Sequence, residues 1–264
     1  MIRLSRIAIY PIKSLDGHAL NEAHILPTGA LANDRRYALR DTQGAWVNAK
    51  ATPHIHLLRA KFSTDLNNVT LSSPNDGVQK VFHLPREVPR LESYLTEFFG
   101  KRIMLVENQL AGFPDDTDSP GPTIVSRQTV GELGRWFAGI AEDEVRARFR
   151  ANIEIDGDAP FCEDRLVADD RHVVRFEIGD IVFDGVTPCQ RCVVPTRHPE
   201  TGEIYPQFAR HFADRRRETL PSWAAPERFD HFYRLSVNTR LSPISTGGTI
   251  RVGDEVRILG VVAA

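Results

Sequence analysis

Short β-branched or alternating runs, broken every few residues by Gly, Asn, Asp or Pro, dominate this chain. They restrict it to a fold built from many small strands. In the first half Ile2–Ile9, Ala19–Leu26, Arg36–Asp41, Ile55–Phe62, Val69–Ser72, Lys80–Leu84 and Arg102–Val106 read as strands. In the second half Arg146–Ile155, Val173–Ile178, Ile181–Phe183 and Tyr233–Asn238 do. Two helices stand out. Leu91, Tyr94, Leu95, Phe98 and Phe99 recur at helical spacing before Gly100, a stop signal. Ser126 is placed as an N-cap ahead of the stripe Val130, Leu133, Trp136, Phe137 and Ile140. Gly253-Asp254, between Ile250/Val252 and Val256/Ile258, predicts a closing hairpin. Arg215 to Arg228 is polar and carries no clear period. The fold class is mainly β or α+β, with barrel-like architecture.

A length of 264 residues corresponds to about two domains. The segment GFPDDTDSPGP, Gly112 to Pro122, can continue neither strand nor helix. It is a linker or a functional loop, and it suggests units at 1–115 and 120–264. Lys plus Arg is 33 against 35 Asp plus Glu, a net charge of −2, which argues against a nucleic-acid binder relying on a basic domain. Met1 to Ser14 is interrupted by Arg3, Arg6 and Lys13, and no apolar run reaches the length of a signal-peptide core or a membrane span. Three cysteines, Cys162, Cys189 and Cys192, are a poor disulfide framework. A cytoplasmic protein, bound to neither nucleic acid nor membrane, is the expectation.

No Walker loop, dinucleotide fingerprint or HExxH helix occurs. His54 and His56 share one face of an expected strand and read as surface or structural residues. The segment TPCQRCVVPTRHPETGE, Thr187 to Glu203, holds the most chemistry. Its Cys-x-x-Cys pair brackets Arg191. A redox dithiol wants a βαβ context, which is missing. Structural zinc wants four ligands, and only His198 and the distant Cys162 could contribute. A single thiolate ligand to a soft metal, supported by a neighbouring guanidinium, is the third reading. Two buried small residues beside a turn is the fourth.

Four further pieces bear on this choice. PIKS ends the first strand with Lys13 and Ser14. NDRR sets Arg35 beside Arg36. RFRANI alternates Arg148 and Arg150 with apolar residues before Asn152. Asp118-Ser119 lies in the proline-rich loop. Phosphate recognition uses such groups: Lys as a point charge, Arg as a fork, Ser as a donor.

PIKSLDG (Pro11–Gly17), LANDRRYAL (Leu31–Leu39), FRANIEI (Phe149–Ile155), CQRCVVPTRHPETGE (Cys189–Glu203) and GTIRVGDEV (Gly248–Val256) occur in this order. The combination resembles MOSC-domain proteins, with the first two pieces resembling the N-terminal β-barrel domain that precedes MOSC in longer members such as the amidoxime-reducing proteins. The resemblance implies an N-terminal β-barrel-like domain followed by a MOSC β-barrel, with a molybdenum-pyranopterin cofactor between them. It implies Cys192 as metal ligand and catalytic centre, with Cys189 beside it but pointing away from the pocket. It implies Lys13, Ser14 and Arg35 on the cofactor's phosphate, Arg150 and Asn152 on its pterin, and Asp118, Ser119 and Arg191 as further cofactor contacts. Asp-Pro usually opens the turn after the cysteine, where this chain has His198-Pro199.

The implied activity is reduction of N-hydroxylated small molecules such as amidoximes and hydroxylamines. The cofactor does the redox chemistry, and the protein supplies orientation and electrostatics. No cysteine follows Cys192 that could hold an iron–sulfur cluster, so electrons are expected from an external ferredoxin- or flavin-type partner. The alternatives are a cofactor carrier or sulfur-transfer module without turnover, and a non-enzymatic β-barrel interaction protein with structural cysteines.

Overall fold

A computed structural model describes residues 1–74 and 77–264. In chain order the strands and helices are β1 (Ile2–Ile9), β2 (His18–Leu20), β3 (Glu22–Ile25), β4 (Tyr37–Asp41), β5 (Trp46–Val47), β6 (Arg59–Phe62), β7 (Asn68–Ser72), β8 (Lys80–His83), α1 (Val88–Phe99), β9 (Ile103–Glu107) and β10 (Ile124–Ser126). They continue with α2 (Arg127–Trp136), α3 (Glu142–Phe149), β11 (Ile153–Asp156), β12 (His172–Ile178), β13 (Ile181–Gln190), α4 (Phe208–Glu218), β14 (Arg234–Leu241), β15 (Gly248–Arg251) and β16 (Glu255–Ala263). The mainly β expectation with few helices matches this architecture.

Seven strands close a barrel in the order β11-β10-β14-β13-β12-β16-β1, with β1 pairing back onto β11. All neighbours are antiparallel except β10 and β11. The expected unit 1–115 places β1 with the first half of the chain. In space β1 completes the barrel of the second half, with Leu4 opposite Ile155 and Ile7 opposite Ile153. The physical reason is its inward face: Leu4, Ile7 and Ile9 are fully buried among Ile153, Ile155, Phe176 and Phe183. Each such side chain contributes roughly 1.5–3 kcal/mol by leaving water.

Between β1 and β10 the chain builds a second core. Sheets β5-β4-β9 and β6-β7-β8, with α1, enclose Ile12, Leu39, Val69, Leu71, Phe82, Leu91 and Leu95. On the other side of the barrel α2, α3 and α4 share an aromatic core in which Phe137 stacks on Phe208 at 4.1 Å.

Three local expectations are corrected. Arg146–Ile155 is not one strand: α3 occupies its first part, because Glu142, Asp143 and Glu144 fill the first helical turn. Arg146 and Arg148 also reach back to Glu142 and Glu144 at i,i+4 spacing. Ile55–Phe62 begins as a 3-10 helix, Pro53–Leu57, so His54 and His56 do not share a strand face. His54 stacks on Phe98 while His56 is buried. Gly253-Asp254 does not close a hairpin, because β15 pairs with β3 whereas β16 pairs with β12 and β1. That turn passes the chain from one sheet to another, held by Leu4 N–H on the Asp254 carbonyl. Of the unassigned stretch Arg215 to Arg228, the first four residues end α4 and the last three form a 3-10 helix.

Candidate active site

β1 ends at Ile9, and the next five residues run beside the segment before β4. Arg35 N–H donates to the Tyr10 carbonyl, Tyr37 N–H to that of Pro11, and Lys13 N–H to that of Tyr37. Residues twenty-odd positions apart are thereby fixed as neighbours. Ser14 at φ 74° and Arg35 at φ 48° both occupy the left-handed region, where non-glycine residues are uncommon. Their side chains and that of Lys13 line one cavity of about 1370 Å³.

The loop Gly112 to Pro122 forms another wall, and glycines at both its ends set the fit. A Cβ on Gly112, at φ 63°, lies 2.4 Å from the Asp34 carbonyl oxygen, and one on Gly121 lies 2.6 Å from that of Thr239. Only glycine lets the loop press against both. Within the loop, Lys13 Nζ meets Asp115 Oδ1 at 2.7 Å and the Phe113 carbonyl at 3.0 Å. Partial enclosure by the cavity opposes ionisation of Asp115, whose side chain is still mostly exposed, but Arg35, Lys13 and Arg191 together outweigh it and hold the carboxyl below its usual range. Lys13 pairs with this carboxylate directly, while Arg35, paired with Asp34, and Arg191 act on it from farther off.

Ser119 is buried and lines the cavity. Asp118, expected beside it, is exposed and lies off the cavity wall. The cause is Asp116, whose Oδ1 accepts from the N–H groups of both Asp118 and Ser119 and turns the backbone there. Oδ2 of Asp116 accepts from Asn238. Asp115, Asp116 and Asn238 were not singled out from the sequence. The run of aspartates in the loop was the available signal, without the register.

Arg150 ends α3 in the left-handed region at φ 56°. Its guanidinium lies 3.9 Å from the Tyr10 ring centroid and donates to the Leu15 carbonyl at 2.7 Å. Arg148 faces elsewhere than a strand alternation requires: it is buried, pairs with Glu144 at 2.6 Å and donates to the Pro195 carbonyl at 2.9 Å. It braces the turn after the cysteines. Asn152 is buried on the cavity wall, but its amide is already engaged. Nδ2 donates to the Ala8 carbonyl, and Oδ1 accepts from Thr123. Its present work is to tie β1 to the β10 approach.

Cys192 is exposed, and its Sγ accepts from Val194 N–H at 3.5 Å. Cys189 is half-buried and also lines the cavity, contrary to the expectation that it points away. Arg191 Nη1 donates to Cys189 Sγ at 3.1 Å and Nη2 to the Phe149 carbonyl, leaving its buried Nε without a partner among the described residues. Cys162 is buried away from the cavity, and burial, with Glu163 adding to it, pushes its thiol up to about 11. After the cysteines, His198 Nδ1 accepts from the N–H groups of Glu200 and Thr201, the work an aspartate carboxylate does in such a turn. Among the described residues no three His, Cys, Asp or Glu side chains stand together as a metal cage.

Residues 1–98 match the MOSC N-terminal beta barrel domain, and residues 124–257 match the MOSC domain. The chain belongs to the MOSC-domain family. Mitochondrial amidoxime-reducing component 1 of Mus musculus is 33% identical over 308 residues, covering 97% of this chain and 82% of that protein. The Homo sapiens protein of the same name is 24% identical, covering 97% and 83%. Molybdenum cofactor sulfurase of Oryza sativa subsp. japonica is 23% identical over 248 residues, covering 77% of this chain. This MOSC chain spans only 29% of that sulfurase's length. No helix among the described residues is long and apolar enough to cross a membrane.

Proposed function

We propose that this MOSC protein binds the molybdenum cofactor in the cavity and reduces N-hydroxylated small molecules with electrons from an external donor. The observation that carries the reading is that three cations, Lys13, Arg35 and Arg191, line one cavity together with Cys192, with the carboxylate of Asp115 seated on Lys13. Three cations around one anion are what a terminal phosphate needs. Ser14 adds a donor: its Oγ accepts from Ala49 N–H, so its own proton can point to a ligand.

The donor set fits the cofactor. Lys13, Ser14 and Arg35 hold its phosphate. Arg150, braced on Tyr10, would hold its polar ring system, with Arg191 beside it, and Cys192 would offer a thiolate to the metal. When bound, the cofactor supplies the two-electron change that, with two protons, converts an N-hydroxyl group into N–H and water. The chain itself orients the cofactor, neutralises its charge and keeps the thiol accessible. The relatives named as amidoxime-reducing components match along nearly the whole chain, which favours reduction over carriage.

The test is oxidation of a reduced viologen dye by cofactor-loaded protein on addition of benzamidoxime. Dye oxidation that depends on substrate and on Cys192 supports the reading. Stoichiometric molybdenum without turnover of any N-hydroxylated substrate replaces it with a carrier or sulfur-transfer role, which the sulfurase relatives favour. Absence of molybdenum leaves the cysteines structural. The donor is a ferredoxin- or flavin-type protein in this reading, and the compartment is the cytoplasm.

A further inference from the structure

The cavity is more cationic than one phosphate requires. Among the described residues, eleven lysines and arginines line it against six aspartates and glutamates, in a chain whose net charge is −2. Its 1370 Å³ also exceeds the roughly 300–1,000 Å³ of a site for one small ligand. The surplus charge is not spread evenly. Apart from Lys13, Arg35 and Arg191, a second group forms around the 3-10 helix Pro53–Leu57 and the turn after the cysteines.

His56, Arg59 and Arg197 make up this group, and all three line the cavity. Arg59 pairs with Asp16, donates to the Pro199 carbonyl at 2.9 Å and stands 3.9 Å from Glu200. Arg197 donates through Nη1 to the Ala49 carbonyl, while its buried Nε has no partner among the described residues. His56 is 9% exposed, with Nδ1 beside the Pro199 carbonyl at 3.4 Å and a buried Nε2 that also has no partner among the described residues. Buried polar atoms are nearly always hydrogen-bonded, so two nitrogens without a partner among the described residues leave this cluster on the cavity wall short of an acceptor, although both atoms are closed to solvent as it stands. Arg150, on the same cavity wall, is held by the Tyr10 ring and the Leu15 carbonyl.

We infer that the cavity contains a second anion subsite, built from Arg59 and Arg197 with His56 in its wall, which takes a carboxylate or phosphate group carried by the substrate. In calling that ligand the substrate, the inference rests on the reductase reading. The existence of the subsite does not. The preferred substrate is then an N-hydroxylated compound with a negative charge elsewhere in the molecule. The charge docks on Arg197 while the N-hydroxyl lies toward Cys192.

An occupying anion also changes His56. Burial, with Arg197, Arg150 and Arg59 acting in the same direction, now depresses its imidazole below the usual histidine range. An anion among those cations offsets them, so the imidazole takes up a proton more readily and can donate through Nε2.

The test uses protein without cofactor and inorganic phosphate as probe, followed by calorimetry and by the imidazole signals of His56 in nitrogen-edited NMR. Wild type should bind two equivalents, and phosphate should raise the His56 titration midpoint. Arg35→Gln should lose one equivalent and keep the His56 response. Arg197→Gln should lose the other, with at least a tenfold weaker response, and Arg197→Lys should recover part of it. One equivalent in wild type with His56 unmoved overturns the subsite, as does a full response in Arg197→Gln. Should Arg197→Gln not fold, wild type and Arg197→Lys decide the matter. In loaded enzyme, Arg197→Gln should lower the preference for 4-carboxybenzamidoxime over benzamidoxime at least tenfold. An unchanged preference removes the substrate assignment. No turnover of either compound, with phosphate binding as described, faults the reductase reading and leaves the subsite standing.

Discussion

Replacing Asp115 with Asn removes the carboxylate that now sits on Lys13, where the phosphate of a ligand is expected. The size of the effect follows from the geometry. The Asp115 side chain is 77% exposed, so its 2.7 Å pair with Lys13 is worth at most about 1 kcal/mol. A phosphate dianion placed on Lys13 brings two negative charges to within about 5 Å of that carboxylate. At an effective dielectric constant of about 80 this repulsion is roughly 1.7 kcal/mol, reduced because the side chain can swing outward. The two terms together give about 1–2 kcal/mol, a fivefold to thirtyfold gain in phosphate affinity for Asp115→Asn at low ionic strength. Raising the salt should shrink the gain. Isothermal calorimetry on protein without cofactor reads it directly, at the equivalent that Arg35→Ala abolishes. Equal or weaker binding in Asp115→Asn refutes the reasoning, because it separates the Lys13–Arg35–Arg191 group from anion recognition.

Three other outcomes follow from the same contacts. In a viologen-coupled assay Cys192→Ala should abolish reduction of benzamidoxime, Cys162→Ser should retain it, and Cys189→Ser should fall between, since Arg191 loses its contact with Sγ. Burial, with Asp164 adding to it, raises the Glu163 carboxyl to about 7 beside Thr129, Ser126 and the Arg216–Asp164 pair. A raised carboxyl gives stability that is full below its unfolded value of 4.5 and is lost as pH climbs through about 7. Denaturant melts should therefore show Glu163→Gln gaining stability relative to wild type as pH rises from about 4.5 to about 8. Phe208→Ala breaks the stack on Phe137 in the α2–α3–α4 core and should lower unfolding free energy by about 3–5 kcal/mol in urea titrations, with phosphate binding kept.

Local physics was legible in the sequence where one pattern acted alone. Ile2–Ile9 is β1 to the residue, and the Ser126 hydroxyl does cap α2, accepting from Thr129 N–H at 3.1 Å. Where two patterns competed, the sequence misled. Arg148-Phe149-Arg150 alternates like a strand, but the acidic residues at 142–144 and their i,i+4 arginines made a helix. Long-range pairing left no local trace either. Nothing in Ile2–Ile9 says that its partners are β11 and β16, some 150 and 250 residues away.

The site shows the same division. Lys13, Ser14, Arg35, Ser119, Arg150, Asn152, Arg191 and Cys192 all line one cavity, although they come from five separate stretches of chain. Asp118 failed by one Asx turn, and Asp115 took the place at the cations. His56 and Arg59 were hidden inside an expected strand. Arg197 stood in plain view five residues after Cys192, without a partner in the sequence to give it meaning.

Quantifying molybdenum and pterin-bound phosphate in the protein purified from a cofactor-competent host tests the cavity assignment most directly. The expected result is close to one molybdenum and one pterin per chain in wild type, with molybdenum lost in Cys192→Ala and pterin depleted in Arg35→Ala. Wild-type protein from that host, folded and free of both molybdenum and pterin, contradicts it.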